Sequence, residues 1–180
     1  MKQIPVNVMK LHPDAAVPAY ARPGDAGFDM VAVEDTIIQP GETKLVRTGL
    51  AVALPTGYEL QVRPRSGISL KTKLRVSNAP GTVDSGYRGE ICVLIDNIAT
   101  PQYSLEEGQL QIVRTREVTT LQNQREAVDT ACASGSYLIR KGDRIAQGVI
   151  AEVPQASFEL VQELDETVRG AGGFGSSGTN

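Results

Sequence analysis

In 180 residues there is one histidine, His12, flanked by Pro13. Far from the polar motifs described below, it gives little footing to a histidine base, a Ser-His-Asp arrangement or a histidine-bound metal. Cysteine is nearly as scarce, since Cys92 and Cys132 are too few for a disulfide framework. Cys92 falls in the apolar run ICVLI and is expected to be a buried thiol, whereas Cys132 is expected at the surface or in a loop. No stretch approaches the roughly 18 apolar residues of a membrane span. The segment MKQIPVNVMK lacks the apolar run of a signal peptide. A cytoplasmic protein without membrane contact is therefore expected. Excess positive charge is missing too: the formal net charge is −3. That gives no reason to expect bulk nucleic-acid or membrane binding, and a polyanionic substrate would need positive charge concentrated locally.

What the chain does have is short β-rich runs punctuated by Gly and Pro, the pattern of an all-β sandwich or barrel. TKLVRTGLAVAL (43–54) follows a turn at Pro40-Gly41, and a second turn at Pro55–Gly57 leads into YELQVR (58–63). There Tyr58, Leu60 and Val62 alternate with Glu59, Gln61 and Arg63, the period of a strand with one buried face. EICVLIDN (90–97) is nearly all apolar and is expected to be a central strand buried on both faces. SYLIRKGDRIAQGVIAEV (136–153) reads as two strands around a Lys-Gly-Asp turn. Helix is scarce, with ISLKTKLRV (68–76) the one candidate, opened by Ser69. Residues 100–135 look polar and irregular, with a strand expected at 110–118 and no turn signal fixing its partner. RGAGGFGSSGTN (169–180) is so rich in glycine that by itself it reads as a disordered tail.

Several segments have the parts of an anion site. PRSG (64–67) sets a guanidinium fork, a hydroxyl and an open glycine backbone just after a strand. Alone, this is more often an exposed turn arginine. The tail adds Arg169, glycine amides, Ser176 and Ser177. Asp29 and Asp84 each lie in a Gly-containing turn, where aspartate commonly caps its own backbone.

In order along the chain, these segments become specific. AGFDM (26–30), PRSGIS (64–69), NAPGTVDSGYRGEI (78–91), KGDRIAQ (141–147) and RGAGGFGSSG (169–178) resemble the five motifs of the trimeric dUTPase family. The resemblance implies a distorted jelly-roll-like β-barrel over residues 1–168, a homotrimer, and a flexible Gly-rich C-terminal lid over 169–180. It implies hydrolysis of dUTP to dUMP and pyrophosphate with Mg2+. On this reading Asp84 activates the attacking water. Asp29 holds waters on a magnesium chelated by the triphosphate. Arg65, Ser66, Gly67 and Gln147 grip the phosphates. The hairpin from Asn78 through Gly81 and Val83 reads the uracil edge, and Tyr87 packs against the deoxyribose; a core aromatic is the plainer alternative for Tyr87. Arg169 reaches the γ-phosphate, Phe174 stacks on uracil, and Gly175, Ser176 and Ser177 wrap the phosphates. Asp143 and Arg144 are expected to form a structural ion pair in their turn.

From Asp84 to Gln147 the chain runs about twice as far as in a compact family member, with the excess in 100–135. A tolerated surface insertion is the plain reading. Similar insertions occur in some phage-borne dUTPases, which suggests a phage source and a host-cytoplasm location. The sharper expectation is an arm for a repressor-like protein partner. Two rival functions remain: a dCTP deaminase-type enzyme of the same fold, against which the complete fifth motif argues, and a regulatory protein acting through 100–135.

Overall fold

The computed structural model describes residues 3–173. As the alternation of side chains dictates, nearly all regular structure is β, in three four-stranded sheets and one separate hairpin. The first sheet runs β1 (Asn7–Lys10), β4 (Thr43–Ala53), β8 (Ile91–Asn97), β6 (Leu74–Val76). The second runs β12 (Arg125–Ala133), β11 (Arg114–Thr120), β13 (Tyr137–Ile139), β3 (Thr36–Ile38). The third runs β2 (Phe28–Val31), β14 (Arg144–Glu152), β5 (Tyr58–Arg63), β7 (Gly81–Val83). All pairs are antiparallel except β11 with β13.

Each sheet sends branched aliphatics into one core: Val46, Val93 and Ile95 from the first, Ile38 and Ile139 from the second, Leu60 and Ile145 from the third. This is the expected barrel. Along β5 the predicted face is the buried one, with Leu60 and Val62 inside and Arg63 exposed. In β8 only Ile91, Val93, Ile95 and Asn97 are buried, so the expected burial on both faces is not what a single chain has. Cys92, Leu94 and Asp96 on the other face stay half-buried, with no further strand layer of the described residues over them. Buried Asn97 is fully used: its amide donates to the carbonyls of Ile38 and Gly135, and its Oδ1 accepts from Ala99 N. In β4 the register slips between Arg47 and Leu50, where Gly49 takes φ 68°, and an added Cβ there would lie 2.7 Å from that of His12.

The helix, α1, is Ser66–Lys71, earlier and shorter than expected; Leu74–Val76 pairs with β8 instead, and Leu74 joins the core. The strands around Lys141-Gly142-Asp143 are present, but they belong to different sheets.

Residues 100–135 hold four strands, where an irregular stretch with one strand was expected. β9 (Tyr103–Glu106) and β10 (Gln109–Ile112) form a hairpin through Glu107 and Gly108, both at positive φ. β11 and β12 are joined by a turn in which Asn123 has φ 63°, and β11 then aligns with β13, so this part of the region is built into the barrel wall. Asparagine tolerates the left-handed region, but without a neighbouring glycine it is a weak cue in sequence. The expected strand at 110–118 therefore spans the end of β10 and much of β11. Cys132, expected at the surface, is buried because it faces Thr115 in this ladder and its Sγ lies 3.7 Å from the Thr115 carbonyl. No helix among the described residues is long and apolar enough to cross a membrane.

Candidate active site

Four of the five sequence motifs converge on the third sheet. Asp29 on β2 faces Gln147 on β14, which in turn faces Arg63 on β5, one row before Pro64 and Arg65. Opposed residues in a ladder project to the same side, so Asp29 and Gln147 share a face beside the Arg65 loop. The adjoining row is Phe28, Gly148 and Val62. A Cβ on Gly148 would lie 2.3 Å from the Phe28 ring, so only glycine lets that ring cross β14. The ring ends edge-to-face on Tyr20, with centroids 5.8 Å apart and planes at 86°. That packing anchors the residue preceding Asp29.

Asp29 is held by two arginines. Its Oδ1 lies 2.9 Å from Arg65 Nε, and its Oδ2 accepts from Arg144 Nη1 at 3.1 Å. Arg65 Nη1 also donates to the Arg144 carbonyl at 3.2 Å. The Arg65 Nε–H, though buried and close to Asp29, is not aimed at an acceptor. The expected Asp143–Arg144 pair does not form. Asp143 closes its own turn, accepting from Arg140 N at 2.8 Å, and its other oxygen accepts from Gln122 Nε2 at 3.0 Å. With its carboxylate turned to those donors, Asp143 leaves Arg144 to Asp29. A cavity of about 430 Å³ opens here, lined by Arg65, Gly67, Lys71, Gln122, Asp143 and Arg144 among others. Three cations in its lining, Arg65, Lys71 and Arg144, supply the concentrated positive charge that the acidic chain otherwise lacks. Lys71, Arg144 and Gln122 were not singled out as site residues in sequence. The charge of Lys71 was visible, but its place on the α1 face beside Arg65 was not.

The third motif occupies the far edge of the same sheet. Gly81 faces Val62, and an added Cβ would lie 3.3 Å from the Asn78 side chain, so the asparagine lies against glycine backbone. Val83 is half-buried opposite Leu60. Asp84 is exposed, and its carboxylate makes no hydrogen bond or ion pair among the described residues. Only its carbonyl is used, accepting from Tyr87 N at 3.1 Å, so the backbone-capping alternative for Asp84 fails. Tyr87 is exposed, its hydroxyl donating to the Glu90 carbonyl, and is not a core aromatic. The Glu90 carboxylate accepts from Arg47 Nε at 3.0 Å and Gly49 N at 2.8 Å, tying this motif to the β4 bulge.

Within one chain the two groups stand apart. Val83 faces Leu60, three residues along β5 from Arg63, and β7 is three strands from β2. With about 3.3 Å per residue and about 4.8 Å per strand, the offset is roughly 10 Å along and 14 Å across the sheet.

Arg169 is exposed and its Nε donates to the Gly172 carbonyl at 2.9 Å. Phe174, Gly175, Ser176 and Ser177 lie outside the described residues. A family model described as dUTPase matches residues 13–135 and 130–178. The chain belongs to the dUTPase family.

The two matched segments meet at 130–135, the end of the long stretch between the third and fourth motifs. The deoxyuridine 5'-triphosphate nucleotidohydrolase of Wolinella succinogenes is 44% identical over 178 residues, covering 99% of this chain and 97% of that protein. The dUTPase of Staphylococcus bacteriophage 80alpha, solved with dUpNHpp, superposes with a TM-score of 0.83 at 31% identity, covering 97% of this chain and 99% of that one. A mutant dUTPase from phage phi11 of S. aureus, whose structure describes a structural Mg(II) ion, superposes with a TM-score of 0.78 at 29% identity, covering 90% and 99%. The jelly-roll-like β-barrel is thus shared with dUTPases of phages, while a bacterial dUTPase aligns over almost the whole chain, longer segment included.

Proposed function

We propose that the chain hydrolyses dUTP to dUMP and pyrophosphate, with water attacking the α-phosphorus. The observation that carries the reading is the gathering of Asp29, Arg65, Gln147 and the Asn78–Asp84 hairpin on one sheet, in a dUTPase chain. The triphosphate lies along the Arg65–Ser66–Gly67 loop and Gln147, and a phosphate oxygen gives the Arg65 Nε–H the acceptor it lacks. Asp84, its carboxylate without a partner among the described residues, takes the proton of the attacking water as the new P–O bond forms and the bond to the β-phosphate oxygen breaks. Pyrophosphate leaves, its charge met by arginine. Asn78 and the backbone at Gly81 and Val83 pair with the uracil edge, leaving no room for a thymine methyl. Tyr87 covers the deoxyribose. Arg169, Phe174, Gly175, Ser176 and Ser177 close over the nucleotide.

Among the described residues no group of three or more His, Cys, Asp or Glu side chains could cage a metal. A lone carboxylate, Asp29, suits Mg2+ that arrives on the triphosphate and keeps much of its water, with Asp29 holding those waters. Bound so, the ion neutralises phosphate charge.

The offset between the Asp29–Arg65 group and the Asp84 hairpin favours a homotrimer whose sites are completed by neighbouring subunits. So does the run 154–168, which has no regular structure and leaves Phe158, Leu160, Leu164 and Val168 exposed, more apolar surface than a monomer leaves bare. The cytoplasm, that of a host if phage-encoded, is the proposed location. No direct nucleic-acid or membrane contact is part of the reading.

A second, compatible role has its own observation. On the β9–β10 hairpin Tyr103 faces Ile112 and Leu105 faces Leu110, so one side is wholly apolar, and all four are exposed. That side suits a protein partner of repressor type. A structure of the 80alpha enzyme is described in terms of phage dUTPases controlling transfer of virulence genes by a G protein-like mechanism.

The test is pyrophosphate release from dUTP, dCTP, dTTP and UTP with magnesium, wild type against Asp84→Asn. Release from dUTP alone, reduced at least about 100-fold in the variant, is expected. Ammonia from dCTP would point to the deaminase instead, and no release from any nucleotide would sink the catalytic reading.

A further inference from the structure

The β11–β12 turn belongs to the stretch that lengthens this chain, yet it forms part of the phosphate cavity. Leu121 packs against the main core, which fixes the turn, and Gln122 lines the cavity together with Arg65 and Lys71. Gln122 Nε2 donates to Asp143 Oδ1 at 3.0 Å, while Asp143 Oδ2 accepts from Arg140 N. Asp143 is followed by Arg144, whose carbonyl accepts from Arg65 and whose guanidinium donates to Asp29. The loop is pinned on its far side as well, with Gly142 N donating to Ala32 O at 2.8 Å and Ala32 N to Asp143 O at 2.9 Å. A second tie joins the same elements, an ion pair between Glu126 on β12 and Arg140. Gln122 therefore stands one side chain away from the backbone that sets both arginines.

We infer that Gln122 is a positioning residue for the triphosphate end of the site, acting through Asp143 on Arg144, Asp29 and Arg65, so that the added segment and the phosphate cavity form one mechanical unit. This rests on the nucleotide reading given above. The neutral amide supplies an N–H to a carboxylate while leaving the cavity's positive charge intact. A carboxylate at the same place could not donate to Asp143 and would oppose the incoming phosphates. A polar turn that only covered the barrel would have no reason to point its side chain at the loop between the arginines. Coupling of this kind runs both ways: anything that displaces the 120–124 turn weakens the grip on the triphosphate, and triphosphate binding steadies the turn.

The experiment measures binding of dUpNHpp and of dUMP to the full chain, with dUTP kinetics, for wild type, Gln122→Ala and Gln122→Glu. The two ligands share base, sugar and α-phosphate, and only dUpNHpp reaches the far cavity. The expected result is dUpNHpp affinity weakened about tenfold in Gln122→Ala and further in Gln122→Glu, with dUMP affinity kept and the loss appearing mainly in KM. Retained dUMP binding shows that the variants are folded. Unchanged dUpNHpp affinity in both variants, or equal losses for both ligands, overturns the inference while leaving the dUTPase reading standing. A wild type that neither binds dUpNHpp nor turns over dUTP overturns that reading and the inference with it.

Discussion

Arg144 reaches Asp29 because β14 carries a bulge. Gln147 faces Asp29 and Ala146 faces Met30, but Arg144 faces Val31, so Ile145 is the extra residue. In an unbroken ladder Arg144 would stand opposite Ala32, on the face that Met30 turns to the core. The inserted residue rotates the guanidinium onto the Asp29 face, and Ile145 and Ala146 are both buried in consequence.

Arg144 is exposed and its pairing with Asp29 sits at the rim of the cavity, so its removal should cost little stability. Arg144→Ala is expected to raise the KM for dUTP several-fold, about 3- to 10-fold, with a melting temperature within about 2 °C of wild type. Steady-state kinetics and a thermal melt check this; a collapsed melt with unchanged KM would contradict it.

Gly148→Ala should act in the opposite sense, on the fold first. The new methyl group meets the Phe28 ring, which must leave its place on Tyr20. A loss of about 1–3 kcal/mol is expected from overpacking, read from urea denaturation. Activity should fall too, because Asp29 follows Phe28 on β2.

Burial pushes the Cys92 thiol up to about 11, with the nearby Glu90 carboxylate adding to the effect. The neutral thiol is thus favoured in the folded chain. Its contribution to stability is complete below the ordinary thiol value and is lost as pH rises through about 11. Two results are expected. Iodoacetamide should modify Cys92 at pH 8 more slowly than a model thiol, seen by mass spectrometry. Between pH 8 and 10, wild type should lose more stability than Cys92→Ser, seen in their urea midpoints.

Removing 169–180 is expected to cut dUTP turnover by at least about 100-fold while leaving the oligomer intact, since residues 169–173 lie in none of the three sheets. Pyrophosphate release and light scattering measure the two arms. Full activity in the shortened chain would rule out a closing role for Arg169 and the residues after it.

Much of this was legible beforehand. Alternation in 58–63 gave β5 and its buried face, and the order of the motifs gave the barrel and named Asp29, Arg65 and Gln147, which the structure brings together. What was hidden depends on contacts between distant segments. A two-residue turn such as Glu107-Gly108 announces itself weakly, and the Asn123 turn hardly at all, so an ordered wall looked like an irregular arm. The bulge at Ile145 leaves no mark in sequence, because Arg-Ile-Ala reads equally well in either register. Cys132 looked exposed because its burial is conferred by β11, a partner that periodicity could not name. The same finding narrows the test of a partner-binding arm: excision of 103–112 removes only the free hairpin, whereas a deletion reaching 133 would take out two strands of the second sheet.

The position of β14 between β2 and β5 also sets a timetable for synthesis. Residues 28–31 and 58–63 leave the ribosome early, yet neither can pair with the other, since the strand that joins them is residues 144–152. A nascent chain halted near residue 140 holds every side chain of the first three motifs and can pair β5 with β7, but it has no strand to hold β2 beside them. Assembly of the third sheet must wait for nearly the whole chain, in keeping with the slow closure of pairings between segments far apart in sequence. Until then its apolar strand edges are work for a chaperone.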